Sequence, residues 1–298
     1  MNDKLYLMTS IHAALEAGNA ILEVYHSSDF KVEEKADSSP LTLADRRSHD
    51  VIMKHLSAFD IPILSEEGQS IAYGKRKKWD TFWLVDPLDG TKEFIKKNGE
   101  FTVNIAMIHK NRPVAGAIFV PDRDILYFAS DKIGSYRTDC SQIVDLLNSK
   151  FGDRSRFANL SDSEITETLS ELISRSTNLP VNYSTNQPFT IAGSRSHSTP
   201  ELEAFVEDKR KEYGNVEFIS AGSSLKLCLV AEGRADMYPR TGPTMEWDTA
   251  AGQAIVESSG GKVYQYDTTE PLEYNKENLL NPWFVAQKLK AESSKLKA

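Results

Sequence analysis

The stretch DPLDGT, residues 86 to 91, places two carboxylates three positions apart, then a glycine and a hydroxyl, directly after the apolar run TFWLV. A turn needs the proline and the glycine but neither the two acids nor the threonine. Two further acids stand at the edges of regular elements: Glu66 closes the run IPILSEE, and Asp248 opens WDTAAGQAIVE. Carboxylates without neighbouring Cys or His suit a hard cation such as Mg²⁺, which takes oxygen ligands in octahedral geometry. Pro87 is expected to stop the strand, so that Asp86 and Asp89 fold back towards one point and the Leu88 carbonyl becomes a further oxygen ligand. Such acids repel one another unless a cation offsets their charge. Gly90 and Thr91 open a helix, where free N–H groups and the positive dipole end favour an anion such as phosphate. The Thr91 hydroxyl can also orient a water. Taken singly, Asp248 reads as a helix cap and DPLDGT as a capped turn. Joined with the strand-terminal SEE, they point to a metal centre. Two Mg²⁺ ions about 3.5–4 Å apart would suit hydrolysis of a phosphate ester, with a carboxylate or Thr91 helping to deprotonate the water.

Regular elements must deliver these groups. Ile11, Leu15, Leu22 and Tyr25 recur at helical spacing over residues 5 to 25, and a second helix is expected over 42 to 59 with Val51, Ile52, His55 and Leu56 on one side. His49 and His55 on that second helix do not share a face well enough to act as a ligand pair. IPILS and TFWLVD read as strands, TKEFIKKNG as a short helix stopped by Asn98-Gly99, and residues 101 to 130 as a three-stranded antiparallel meander. The segment from about 135 to 188 reads as a polar, irregular insertion with one helix opened by Ser161 and Glu164 in capping-box spacing. From Thr190 onward strands and helices alternate again.

The bulk properties narrow the function classes. The chain has 298 residues, 40% of them hydrophobic, and a formal net charge of -8 without a long basic run. Binding to a nucleic-acid polymer is therefore not expected. Two cysteines, Cys140 and Cys228, exclude a disulfide scaffold and fit a reducing compartment. The N-terminus does not read as a signal peptide, and no run approaches the roughly 18 apolar residues of a membrane span. A soluble cytoplasmic protein is the expectation; peripheral association with the inner membrane is not readable from sequence, nor is an oligomeric state.

SEE, DPLDGT and WDTAAGQAIVESSGG, in that order, resemble the Mg²⁺-dependent, lithium-sensitive inositol monophosphatase family. SSPLTLAD, DPLDGTKEFIKKNGEFTVNIAMI, SRSH, GSSLKLCLVAEGRADMYPRTGPTMEWDTAAG and LLNPWF are similar to one branch of it, the CysQ-type 3′(2′),5′-bisphosphate nucleotidases. The similarity covers most of the chain outside roughly 135 to 188. The resemblance implies an α+β protein with a two-lobed, layered α-β-α-β-α sugar-phosphatase fold. Residues 1 to 188 would form the lobe carrying most metal ligands, and 189 to 298 the lobe carrying Asp248 and the substrate contacts.

By the same resemblance, Glu66, Asp86 and the Leu88 carbonyl would hold one Mg²⁺, while Asp86, Asp89 and Asp248 hold the second. Glu66 would also favour a more labile third ion. Asp45 would pair with Thr91 to activate the water, although locally it looks like an ordinary first-turn helix acid. The substrate phosphate would meet Asp89, Gly90, Thr91 and Asp248. His197, Ser223, Lys226 and Arg240 match positions around a bisphosphorylated ribose, and a second phosphate calls for cations such as Lys226 and Arg240. The implied activity is removal of the 3′-phosphate of adenosine 3′,5′-bisphosphate to leave AMP, with the sulfated analogue PAPS as a further substrate and a role in sulfur assimilation. Inositol or another sugar monophosphate is the alternative substrate, and a catalytically silent nucleotide-binding protein the alternative class.

Overall fold

In the computed structural model, residues 2–27, 32–34, 40–146, 160–181, 187–194 and 199–288 are described. Helix α1 (Asp3–Tyr25) opens at Asn2, whose side chain accepts from the Leu5 N–H, and buries Leu7, Ile11, Leu15, Ile21 and Tyr25. A short antiparallel pair, β1 (Val32–Glu34) and β2 (Pro40–Thr42), leads into α2 (Leu43–Leu56). Thr42 and Asp45 form a reciprocal capping box at the start of α2.

Seven strands form one sheet in the spatial order β3-β4-β5-β6-β7-β8-β9. They are β3 (Ile63–Ser65), β4 (Thr81–Asp89), β5 (Thr102–His109), β6 (Arg112–Val120), β7 (Ile125–Ser130), β8 (Gly134–Asp139) and β9 (Thr177–Asn178). β3 runs parallel to β4 and every later neighbour pair is antiparallel. Between these strands lie the short helices α3 (Tyr73–Arg76) and α4 (Thr91–Ile95). Both faces of the sheet are covered, which is why its strands read as almost unbroken apolar runs. Trp83, Val85, Val103 and Ile105 pack towards α1 and α2, while Phe82, Leu84, Ala106 and Ile108 pack into a second core on the opposite face.

That second core is built on α7 (Leu225–Glu232) and α8 (Glu246–Ser258), which follow α5 (Asp162–Ser174) and α6 (Pro200–Tyr213) in the chain. Beyond them lies a mixed five-stranded sheet of spatial order β11-β10-β12-β14-β13. Its strands are β10 (Phe189–Gly193), β11 (Val216–Ser220), β12 (Met237–Arg240), β13 (Lys262–Gln265) and β14 (Phe284–Gln287). With α6 against β11 and β12 on the outer side, the layers run α-β-α-β-α, as the resemblance implies. At Gly116 in β6 an added Cβ would lie 2.7 Å from the Ala251 carbonyl, so this glycine sets how closely α8 approaches the sheet.

Three expectations change. Pro87 does not stop β4; the strand continues to Asp89 through a bulge between Asp86 and Asp89. The region from 135 to 188 is no irregular insertion where it is described. β8 and β9 extend the large sheet, and Ile165, Leu169 and Leu172 of α5 join the first core, with Ser161 and Glu164 capping that helix as expected. The helix after Gly90 is also shorter than TKEFIKKNG, because Lys97 already takes a positive φ of 57°.

Candidate active site

The bulge in β4 explains how two acids three residues apart act together. Strand side chains alternate, so Asp86 and Asp89 in a regular strand would face opposite sides. Asp86 pairs with Asn104 and Asp89 with Thr102, which are only two positions apart on β5. One extra residue on β4 restores the parity. Both carboxylates therefore face the layer of α7 and α8. Ser48 of α2 donates to the Pro87 carbonyl at 2.6 Å, and the Leu88 N–H donates to Asp86 Oδ1 at 3.1 Å, fixing the bulged segment.

The other acids arrive from neighbouring elements. Glu66 follows β3, its N–H donating to the Val85 carbonyl at 3.1 Å, and its carboxyl shares a hydrogen bond with Asp86. Asp248 is the third residue of α8 rather than its cap, and its Oδ2 accepts from the Met245 N–H at 2.9 Å. Burial raises the Asp86 carboxyl well above the usual range, and the charges of Glu66, Asp89 and Asp248 raise it further. Burial raises Asp248 as well, with Asp89 and Glu66 adding to the effect against the Met245 N–H. Asp89 is raised to about 6 by burial, held back by Lys226, the Ser224 backbone and Asn104. Four acids that penalise one another's charge, offering oxygen donors alone, fit a divalent hard cation.

Asp45 combines the two readings open to it. Its Oδ2 accepts from the Thr42 N–H at 2.7 Å and the Thr42 hydroxyl at 2.5 Å, while its Oδ1 accepts from the Thr91 hydroxyl at 3.3 Å. The helix cap and the link to Thr91 therefore coexist in one carboxylate, itself 1% exposed. Gly90 caps α4 at a φ of +91°, where a Cβ would press 3.2 Å from the Glu100 carbonyl and 3.3 Å from Ser223 Cβ.

Asp89, Gly90, Ser223, Lys226, Arg240 and Asp248 line a single cleft of about 150 Å³. Lys226 is not a solvated helix residue: it is 5% exposed, and its Nζ donates to the carbonyls of Ala221 and Ser223. Burial lowers it to about 8, with Asp89 opposing and Arg240 reinforcing the shift. Ser223 Oγ and Arg240 Nε are buried without a hydrogen-bond partner among the described residues, so both retain capacity for a ligand. His197 lies outside the described residues. Cys228 is fully buried in α7.

A cluster around Asn104 was not anticipated. Its Oδ1 accepts from Thr102 Oγ1 at 3.0 Å and from Ser224 Oγ at 2.8 Å, and its Nδ2 reaches Asp89 Oδ2 at 3.4 Å. The available signal was a buried-side asparagine interrupting the run TVNIAMI.

Layered sheets with an acid-lined cleft beside a lysine and an arginine define a class of phosphate-handling proteins, and the comparisons place the chain within it. The model of the inositol monophosphatase family matches residues 3–296. The CysQ 3′(2′),5′-bisphosphate nucleotidase of Shigella flexneri is 39% identical over 277 residues, covering 91% of this chain and 95% of the relative. The protein of the same name from Escherichia coli K12 is 38% identical over 275 residues, with the same coverage. The crystal structure of CysQ from Bacteroides thetaiotaomicron, a bacterial member of the inositol monophosphatase family, superposes with a TM-score of 0.81 at 48% identity, covering 96% of this chain and 98% of that one. The chain belongs to the inositol monophosphatase family.

Proposed function

We propose that this chain is a Mg²⁺-dependent 3′(2′),5′-bisphosphate nucleotidase that removes the 3′-phosphate of adenosine 3′,5′-bisphosphate, yielding AMP and inorganic phosphate, with PAPS as a further substrate. The observation that carries this reading is the buried Lys226 together with the half-buried Arg240 on the cleft that also presents Asp89 and Asp248. A monophosphate needs one anion site beside the acids, whereas a bisphosphate needs a second set of cations. The relatives named CysQ support the same substrate class.

In this account Glu66, Asp86 and the Leu88 carbonyl would hold one Mg²⁺ and Asp86, Asp89 and Asp248 a second, with Glu66 favouring a more labile third. Bound there, the cations would polarise the phosphoryl oxygens and lower the pKa of a coordinated water. The protein groups do the remaining work. Thr91 orients the attacking water, and Asp45 accepts the proton relayed through the Thr91 hydroxyl. The Gly90 turn brings backbone N–H groups to the phosphoryl oxygens. Ser223, Lys226, Arg240 and His197 hold the ribose and the phosphate that stays. The division into a lobe of residues 1–188 and a lobe of 189–298 forms part of the same proposal. A cytoplasmic setting and a role in sulfur assimilation fit it, and no described helix is long and apolar enough to cross a membrane.

The test is phosphate release from adenosine 3′,5′-bisphosphate by the purified protein. Turnover should require Mg²⁺, stop with chelator, and fall by orders of magnitude in Asp89→Asn while circular dichroism stays unchanged. Near-normal turnover in that variant would overturn the metal assignment. Ligand binding without turnover in the wild type would favour a silent binding protein.

A further inference from the structure

A second group of metal-ligating side chains lies away from the cleft, between α1 and α2. His12 and Glu16 stand one turn apart on α1, and His55 is the penultimate residue of α2. Glu16 lies between the two rings. Its Oε1 is 3.3 Å from His12 Nε2 and its Oε2 is 3.0 Å from His55 Nε2. The rings meet edge to face with centroids 4.8 Å apart, and one ligand atom from each residue falls within 4.8 Å of the others. Ligand atoms around a tetrahedral ion with bonds of roughly 2.0–2.1 Å are separated by about 3.3 Å, so only small side-chain movements are needed to enclose one.

We infer that His12, Glu16 and His55 form a binding site for a borderline transition-metal ion, with Zn²⁺ the best match. Two imidazoles and one carboxylate leave a fourth position open to water, a donor set that suits Zn²⁺ and discriminates against Mg²⁺. His12 and His55 are 7% and 8% exposed, while the Glu16 side chain is 25% exposed and gives the ion its path in. Without an ion, the Glu16 carboxylate lies within hydrogen-bond reach of His55 Nε2 and 3.3 Å from His12 Nε2. To hold a metal, each ring would carry its proton on Nδ1 and offer Nε2 as the ligand atom. The site is separate from the acid cleft. Asp45 begins the same helix ten residues before His55, roughly 15 Å away along its axis. A bound ion would tie the end of α2 to the middle of α1.

The test is Zn²⁺ calorimetry and thermal denaturation of the full-length protein in excess Mg²⁺, which occupies the acid cleft. Wild type should bind one Zn²⁺ and melt at a higher temperature with it. His12→Gln and His55→Gln should bind at least about tenfold more weakly, because even outer-shell changes cost 10–100-fold in affinity. Both variants should keep wild-type phosphatase activity in chelator-treated, Mg²⁺-restored buffer. Absence of Zn²⁺ binding in wild type, or unchanged binding in both variants, would overturn the proposal. Should a variant fail to fold, anomalous diffraction at the zinc edge from wild-type crystals decides. A peak among the three side chains supports the site, and peaks only at the acid cleft refute it.

Discussion

At the scale of single residues, charge governs the cleft. Lys226 is buried beside Asp89 and Arg240, so its ammonium can be replaced neither by water nor by a flexible neighbour. Truncating one member of a buried charged contact costs about 2–5 kcal/mol. Lys226→Met should therefore lower kcat/KM for adenosine 3′,5′-bisphosphate by at least about 30-fold, measured by phosphate release, with a folded spectrum retained. The acids give a second expectation. Asp89 titrates at about 6 in the folded, metal-free protein against an ordinary value of 3.8. The folded state thus binds the proton more tightly than the unfolded chain between those values. Stability of the metal-free protein should fall as pH rises from about 4 to 6, by about 3 kcal/mol from Asp89 alone, and Asp86 and Asp248 are raised in the same direction. Melting curves in chelator from pH 4.5 to 7.5 should show this decline, and the stabilisation by Mg²⁺ should grow over the same interval. A flat or rising profile in chelator would contradict the burial of these acids as charged groups.

Elements turn these residues into a site. The bulge in β4 is a backbone device, and Asn104 on β5 steadies it from the side by linking Asp89 to Thr102 and to Ser224 before α7. Asn104→Ala leaves two buried hydroxyls with fewer partners, which costs about 1–3 kcal/mol. It should weaken Mg²⁺ binding 10–100-fold by calorimetry, as loss of an outer-shell partner does. Gly116→Val would drive a side chain into the Ala251 backbone and displace α8, which carries Asp248. Chemical denaturation should show a loss of about 1–3 kcal/mol, accompanied by lower phosphatase activity. Sequence made much of this legible. The helical spacing of Ile11 and Leu15, the cap at Ser161, and the acids at element ends were readable because each is a local signal. Pro87 was misread as a stop because a bulge depends on the register of β5. The burial of Lys226 was not legible because α7 is enclosed on all sides only once both sheets pack around it. Asn104 escaped notice because its partners lie on another strand and a distant loop.

At the scale of the molecule, five layers hold the acids at one place. Asp86 and Asp89 come from the large sheet and Glu66 from the turn after its β3, Asp248 from the central helical layer, and Arg240 from the small sheet. A ligand that joins these layers in the folded state alone must stabilise the whole by mass action. The layering belongs to the family; the second anion site proposed at Lys226 and Arg240 is what would distinguish this member. That claim is tested most directly by comparing kcat/KM for adenosine 3′,5′-bisphosphate and inositol 1-phosphate at saturating Mg²⁺. The account predicts a preference of at least about 30-fold for the bisphosphate, equivalent to roughly 2 kcal/mol from the charged contacts to its second phosphate. Equal turnover of the two, or preference for inositol 1-phosphate, would contradict it.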